Sequence, residues 1–430
     1  MRLAAIPFPL LLLLYGSIYL AAIFAMVSSG AALGSTGFLA AAAVAAAAYA
    51  ATLWRVRNDP GASRALLLLA FAFAVAFRVP PALAEVGPDS DMVRYLWDGR
   101  LQLHGYSPYD HRPSHPGLAH LHTEETAAMP SLRHRTPYPP AAQLFFRMVV
   151  GIADSTRGMK FALIACDLLT LLVVWRLLAI TGRNEWLSLA YAWNPLVVLE
   201  VAHSGHMDAV AMLWVAAAAY WLARRRTTLA SVVFVLGIAT KLLPVVLAPL
   251  FFRRIQFRDA LLGAALFALL YLPFVEGPRL PVGAVPNVID HLRFNGPVFA
   301  ALAWLASPRA AAAFAVLAGA AAAAWARYRL SRNDPAAWAW PMAIALLAAP
   351  VIYPWYLLPL TPFLVSRATI PLMAWTVTVL PVYVVWRFMQ EGGKWAVPWP
   401  VLVLEFGLLL AACWVVFARQ RRETPASEPA

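Results

Sequence analysis

Charged residues are scarce in this chain. They make up only 13% of its 430 residues, whereas hydrophobic residues make up 62%, and this balance excludes an ordinary soluble globular protein. Apolar runs of about 20 residues recur along the sequence, and each is long enough to cross a bilayer as a helix. Because the runs are continuous and do not alternate, they predict helices and exclude a barrel of strands. The predicted fold class is therefore all-α, a polytopic helical membrane protein.

Cysteine is nearly absent too. Cys166 and Cys413 each lie inside an apolar run, so the sequence predicts neither a disulfide framework nor a cysteine-based metal site. The formal net charge of +13 does not indicate a nucleic-acid partner, because the arginines form short clusters between apolar runs. Such clusters mark the cytoplasmic ends of membrane spans.

The arginine clusters predict a topology. We expect one integral domain over residues 1–430, with about 12 to 14 passes through the cell (inner) membrane and both termini in the cytoplasm. The N-terminal apolar run is an uncleaved span and not a signal peptide. An arginine cluster after the second span is cytoplasmic, so the third span delivers residues 87–140 to the extracytoplasmic side. Residues 419–430 form a cytoplasmic tail.

Residues 87–140 are the only long polar interval, and they carry the first candidate site. Asp89 and Asp91 alternate there, so in an extended loop their carboxylates project to one side. They form a candidate catalytic pair, a base with its electrostatic partner, or a candidate site for a divalent cation such as Mg²⁺ or Mn²⁺. Asp91 also fits the N-cap of a helix.

From Asp91 onward the spacing predicts an amphipathic helix lying on the membrane surface. Asp91, Tyr95 and Asp98 recur at helical intervals and form an acidic edge that we expect to face water. Arg94 is spaced to form an ion pair with Asp98. Gly105 fits the end of the helix, because glycine adopts a left-handed conformation without strain.

Further polar residues are predicted to reach the same side of the membrane. His203, His206 and Asp208 lie at the mouth of a helix. The two histidines have the spacing of a helical metal pair, but contact with a phosphate or an acceptor is the better interpretation. Lys241 lies deep in apolar sequence, at the apex of a hairpin broken near Pro244, and such a costly charge is a candidate functional residue. The alternative is a lysine whose stem snorkels to the interface.

The chemistry of these residues indicates group transfer. Carboxylates suit the deprotonation of an acceptor hydroxyl, and the cationic Lys241, His206 and Arg94 suit a phosphate leaving group. Because nucleotide sugars are cytoplasmic, a transferase on the outer face requires a lipid-carried donor. The residues alone predict a membrane transferase or a transporter.

A last group of residues consists of candidates for contacting the acceptor or lining the cleft: Asp208, His203, Tyr109, Tyr138 and Tyr353. For Tyr353 and Trp355, membership of the aromatic belt at the membrane interface is an equally good interpretation.

Three motifs follow one another between residues 85 and 252. They are an acidic, aromatic helix leading to Gly105-Tyr106-Ser107-Pro108-Tyr109, then His206-Met207-Asp208-Ala209, then Lys241-Leu242-Leu243-Pro244. Together they resemble motifs of GT-C superfamily glycosyltransferases that use polyprenyl-phosphate sugars. They are most similar to those of bacterial alpha-mannosyltransferases and of the mannosyltransferase that adds the first mannose in GPI-anchor assembly. Met207 departs from the pattern, which has asparagine there.

This resemblance implies an activity. A hexose, in the first instance mannose, would pass with inversion from a polyprenyl-phosphate donor to a hydroxyl of a glycan, glycolipid or protein. Asp91 would be the general base, and Asp89 would assist it or help to hold a divalent metal. The alternative is a transporter or flippase of a lipid-linked sugar, with intramembrane charges that bind substrate or couple protons. A membrane acyltransferase, a third hypothesis, would leave the acidic pair unexplained.

Overall fold

The structure is a computed structural model that describes residues 7–28, 33–58, 63–85, 90–275 and 281–423, without the side chains of 420–423. Within these ranges the chain is helical and has no named β-strand, only an isolated bridge between Phe294 and Val351. The all-α prediction is confirmed. Asp89 lies outside the described residues.

The chain is an integral membrane protein, because eight of its described helical segments are long and apolar enough to cross a bilayer. Four further apolar helices are shorter than these spans: Pro140–Ile152, Asp208–Ala223, Thr227–Thr240 and Ala336–Leu347. The prediction of 12 to 14 passes requires about four or more short segments to cross as well. Eight helical segments of the described residues are long and apolar enough to cross a bilayer: Phe8–Val27, Thr36–Arg57, Arg64–Leu83, Thr156–Ile180, Phe257–Phe274, Pro308–Arg329, Arg367–Gln390 and Trp399–Arg419.

The described α-helices are, in chain order, α1 (Phe8–Ser28), α2 (Thr36–Asn58), α3 (Arg64–Leu83), α4 (Asp91–Leu103), α5 (Glu124–Ala127), α6 (Pro140–Ile152), α7 (Thr156–Ile180), α8 (Leu189–Ala192), α9 (Pro195–Val197), α10 (Asp208–Ala223), α11 (Thr227–Thr240), α12 (Phe257–Tyr271), α13 (Val285–His291), α14 (Pro297–Leu305), α15 (Pro308–Arg329), α16 (Ala336–Leu347), α17 (Ile370–Thr378), α18 (Val384–Gln390) and α19 (Trp399–Glu423). A π-helix spans Val198–His203. Single 3₁₀ helices span Pro116–Leu121, Glu185–Ser188, Leu243–Phe251, Leu272–Phe274, Pro354–Phe363, Arg367–Thr369 and Leu380–Tyr383.

Helix α4 begins at Asp91, but Asp91 does not cap it. The side chain of Ser90 accepts a hydrogen bond from the backbone N–H of Met92, at 3.3 Å, and so supplies the N-cap. After the helix ends, Gly105 adopts a φ of +82°, as predicted for the stop. The carboxylate of Asp91 is therefore not used to cap the helix.

The predicted water-facing acidic edge of α4 is wrong for Tyr95 and Asp98, although Asp91 at its start is 39% exposed. Tyr95 and Asp98 are only 1% and 0% exposed, because α6 packs against this side of α4. The Asp98 carboxylate accepts hydrogen bonds from Arg94 at 2.7 Å and from Gln143 at 2.9 Å. The predicted pairing of Arg94 with Asp98 is confirmed, but as a buried pair.

The predicted break at Lys241 is confirmed. Helix α11 ends at Thr240, Lys241 is extended, and a 3₁₀ helix follows over Leu243–Phe251. Because α10 and α11 pack side by side, the break brings Lys241 against Asp208, the first residue of α10. Pro244, inside this 3₁₀ segment, cannot donate a backbone hydrogen bond to continue α11.

The end of the polar interval contacts the start of α13 at Gly283 and Ala284. The backbone N–H of Ala284 donates to the carbonyl of Thr136 at 3.0 Å. Gly283 has a φ of +55°, and a Cβ built there would lie 1.9 Å from the same carbonyl oxygen. Only glycine fits this contact, which holds α13 over the end of the polar interval.

Gly283→Ala is expected to release α13. A Cβ at Gly283 must push Thr136 away, so amide hydrogen exchange across α13 should rise by about tenfold, which corresponds to about 1.4 kcal/mol. The matched control is Gly392→Ala, because Gly392 has a similar φ of +78° and nothing within 4 Å. Equal exchange in α13 for both variants would contradict the docking role of Gly283.

Candidate active site

The end of α4 that carries Asp91 meets the start of α10. His206 Nε2 lies 3.9 Å from Asp91 Oδ2. Together with His203, these side chains border a cavity of about 230 Å³, which we call the aromatic cavity. Its remaining lining residues are Leu33, Glu85, Ser90, Ser204, Trp355, Tyr383, Trp386 and Gln390.

Buried contacts fix the orientation of His206. Its Nδ1 atom lies 2.9 Å from Glu200 Oε2, and Glu200, which is 0% exposed, also accepts a hydrogen bond from the hydroxyl of Tyr383. The imidazole stacks on Trp355 with ring centroids 3.9 Å apart and planes at 10°. These contacts turn the other nitrogen, Nε2, toward Asp91.

Lys241 has a buried partner. Its ammonium lies 2.9 Å from Asp208 Oδ1 and donates to Oδ2 at 3.0 Å, and it lies 4.0 Å from the centroid of the Tyr356 ring. Asp208 is only 1% exposed. The ion pair balances both charges, so a phosphate role for Lys241 stays a prediction that must compete with Asp208.

Two tyrosines, Tyr95 and Tyr138, lie close enough to Asp91 to feel its charge. The Tyr95 hydroxyl accepts a hydrogen bond from the backbone N–H of Met207 at 3.3 Å, and its ring meets Tyr138 edge to face. Burial, and then the charge of Asp91, raise the pKa of Tyr95 and of Tyr138 well above the ordinary value. Both hydroxyls therefore keep their protons, and neither can act as the base. Tyr109 supports Tyr138 by donating to its carbonyl at 2.7 Å.

His203 is held neutral. Burial, reinforced by the charge of Lys160, lowers the pKa of His203 to about 4. Its Nδ1 atom is buried without a hydrogen-bond partner among the described residues. A neutral imidazole on the wall of the aromatic cavity is suited to hydrogen bonding with a hydroxyl.

Tyr353 stacks behind Trp355, with ring centroids 4.4 Å apart, and so positions the wall of the aromatic cavity.

A second cavity, of about 300 Å³, borders Asp91 as well. We call it the basic cavity. It lies between the polar interval and α13, and its other lining residues are Arg94, Ser131, His134, Arg135, Pro137, Tyr138, Ala284, Asn287, Val288, His291 and Leu292. Asp91 thus faces two cavities of different composition.

Several residues that shape the site were not selected from the sequence. Glu200 carried a signal, as a single acid inside an apolar run. Lys160 also carried one: its ammonium donates to the carbonyls of Pro81 at 2.9 Å and Ala84 at 2.7 Å, and so holds the end of α3 that leads toward Asp91. Arg135 carried none, because the cavity that it lines is completed by α13, which is distant in the sequence.

Asp89, one of the two predicted cation ligands, lies outside the described residues. Within those residues, no group of three or more His, Cys, Asp or Glu side chains is arranged to hold a metal ion. Asp91 and His206 are 3.9 Å apart, and the other ring nitrogen of His206 faces Glu200.

A family comparison decides the class of protein. A family model described as alpha-(1->6)-mannopyranosyltransferase, N-terminal domain, matches residues 12–255, which is more than half of the chain. The chain belongs to this family. The residues that the family model matches include α4, the start of α10 and the break at Lys241. No curated protein matches the chain.

The family resolves the alternatives that the sequence left open. The chain is a glycosyltransferase of an alpha-mannosyltransferase family, and the resemblance to GT-C mannosyltransferases is confirmed. A transporter, flippase or acyltransferase is not what this family describes. The mannopyranosyltransferase match ends at residue 255, so it leaves the C-terminal part of the chain without a counterpart.

Proposed function

We propose that this mannosyltransferase uses a polyprenyl-phosphate mannose donor and works with inversion on the extracytoplasmic face, with Asp91 as general base. The observation that carries the proposal is the place of Asp91 between two cavities. Its carboxylate does not cap α4, and among the described residues its one basic neighbour within 4 Å is the imidazole of His206, at 3.9 Å. The acceptor is a hydroxyl of a glycan, a glycolipid or a protein.

The reaction follows from this arrangement. Asp91 takes the proton of the acceptor hydroxyl as the oxygen attacks the anomeric carbon of the donor. A bond forms between these two atoms, and the bond from the anomeric carbon to the phosphate oxygen breaks. The bonding electron pair leaves with polyprenyl phosphate. Base and leaving group on opposite sides of the sugar ring give inversion in a single displacement.

His206 acts through Asp91 as a positioning residue. Glu200 and Trp355 fix the imidazole, so a defined nitrogen always faces the carboxylate. That contact limits the rotation of the Asp91 side chain, which is 39% exposed. A positioned base transfers a proton far more effectively than a mobile one.

The charge distribution supports the extracytoplasmic side. Arg55 and Arg57 end α2 and Arg64 begins α3, whereas Asp91 follows the other end of α3. By the positive-inside rule the arginines are cytoplasmic and Asp91 is outside, and both chain termini are cytoplasmic in the inner membrane. Nucleotide sugars do not reach that side, so the donor is lipid-linked.

The test uses the purified full-length chain in lipid nanodiscs. A short-chain polyprenyl-phosphate mannose and a nucleotide-linked mannose are offered separately, with and without EDTA, and products are identified by mass spectrometry. We expect a mannosylated acceptor and polyprenyl phosphate from the lipid donor only. Transfer from the nucleotide donor, or movement of the lipid-linked sugar without a new glycosidic bond, would contradict the proposal. Loss of transfer in EDTA would assign a cation to the site.

A further inference from the structure

Two arginines that line the basic cavity each have one buried guanidinium nitrogen without a hydrogen-bond partner among the described residues. Arg94 is only 5% exposed, and its Nη2 atom is buried without a hydrogen-bond partner among the described residues. The Nε atom of Arg135 is buried and unpartnered in the same sense. A buried donor without an acceptor costs free energy, which an anionic ligand in the cavity would recover.

The rest of Arg94 is held rigidly. Its Nε donates to Asp98 at 2.7 Å, and its Nη1 donates to the carbonyl of His134 at 2.9 Å. Gln143 donates to the other oxygen of Asp98 at 2.9 Å. The Nη2 atom is therefore held at a fixed position in a residue that lines the basic cavity, as a preorganised ligand site requires.

The cavity carries net positive charge at one end. Asp98 balances Arg94, whereas Arg135 forms no ion pair among the described residues. The acid nearest along the chain on the α13 side, Asp290, is engaged by Arg309 at 3.0 Å. His134 and His291 add further donors to the wall. Asp91 lies at the shared end, where its charge would repel an anion toward Arg135.

The aromatic cavity has the opposite character. Among the described residues, neither arginine nor lysine lines it, and Glu85 and Asp91 border it. Its wall contains the rings of Trp355, Trp386 and Tyr383. Such a wall disfavours a phosphate, and it suits the neutral, partly apolar face of a pyranose ring.

We propose that the basic cavity binds the donor phosphate through Arg135 and Arg94, and that the aromatic cavity binds an acceptor pyranose. This assignment rests on the proposed function and extends it to the substrate sites. Guanidinium groups suit a phosphate because their planar fork offers two donors at once. The anomeric carbon then lies between the phosphate and Asp91, and the acceptor hydroxyl approaches from the side of the aromatic cavity.

The test compares Arg135→Gln with Arg133→Gln, a matched control that removes an exposed arginine from the same segment outside the cavity. The KM of the donor, the KM of the acceptor and inhibition by a short-chain polyprenyl monophosphate are measured for each. We expect Arg135→Gln to raise the donor KM and the inhibition constant by roughly 10- to 100-fold, as for other charged hydrogen bonds. The acceptor KM should stay unchanged, and Arg135→Lys should recover part of the loss.

A second variant tests the aromatic cavity. Trp386→Leu should raise the acceptor KM and leave the donor KM and the inhibition constant unchanged. The assignment would be overturned if Arg135→Gln raised the acceptor KM and Trp386→Leu raised the donor KM. It would also be overturned if Arg135→Gln raised the donor KM and the inhibition constant no more than Arg133→Gln does. Either result would leave the mannosyl transfer itself intact.

Direct binding of the polyprenyl monophosphate separates this inference from the proposed function. If the wild-type chain transfers no mannose from the lipid donor, the proposed function fails. Even then, binding of the monophosphate to the wild type that is lost in Arg135→Gln would support the phosphate site. Equal binding to the wild type and to Arg135→Gln, or no binding to the wild type, would refute it.

Discussion

Asp91→Asn is expected to reduce mannosyl transfer by about 10²- to 10⁴-fold, the usual contribution of a general base. Asparagine has nearly the same shape, but its amide cannot take the proton of the acceptor hydroxyl. Because Ser90 caps α4, the substitution leaves the helix start intact. The initial rate of product formation is measured at saturating donor and acceptor.

Glu125→Gln is the matched control for that variant. Glu125 is an exposed acid in the same polar interval, and its change to the amide alters the charge equally. The control should keep the wild-type rate. A rate for Asp91→Asn within about twofold of the control would contradict the assignment of Asp91 as base, which the contribution of a base should exceed by far.

Asp98→Ala is expected to destabilise the chain by about 3–5 kcal/mol, because it leaves the charge of Arg94 buried without compensation. Asp98 is 0% exposed, and its loss also removes one of the acceptors of the Gln143 amide. Unfolding of the purified protein in detergent, followed by helical circular dichroism, measures the change.

Asp154→Ala provides the comparison. Asp154 pairs with Arg100 at 2.9 Å, but its side chain is 39% exposed, so its removal should cost about 0–1 kcal/mol. Equal destabilisation by the two substitutions would show that Asp98 and Arg94 are not buried together, and α4 would then lie against water as its sequence pattern suggests.

Local chemistry made much of the fold predictable. The apolar runs and arginine clusters indicated the long helices, Gly105 marked the end of α4, and the charge of Lys241 before Pro244 marked the break after α11. These signals depend on neighbouring residues. The water-facing edge of α4 was wrong because α6 covers it, and a hydrophilic pattern alone does not reveal a polar partner such as Gln143.

The candidate site was only partly predictable. Asp91 and His206 are more than 100 positions apart in the sequence, and motif order suggested that they belong together. The pairing of Lys241 with Asp208 depends on the packing of two helices. The basic cavity depends on the contact between Gly283 and Thr136, and no local pattern indicates that contact.

The most direct test of single displacement with Asp91 as base is the anomeric configuration of the product. Donors with α-linked and β-linked mannosyl phosphate are offered separately, and NMR determines the configuration of the new mannosidic bond. We expect an α-mannoside from the β-linked donor, no product from the α-linked donor, and loss of the product in Asp91→Asn. An α-mannoside formed from the α-linked donor would show retention and would contradict the account.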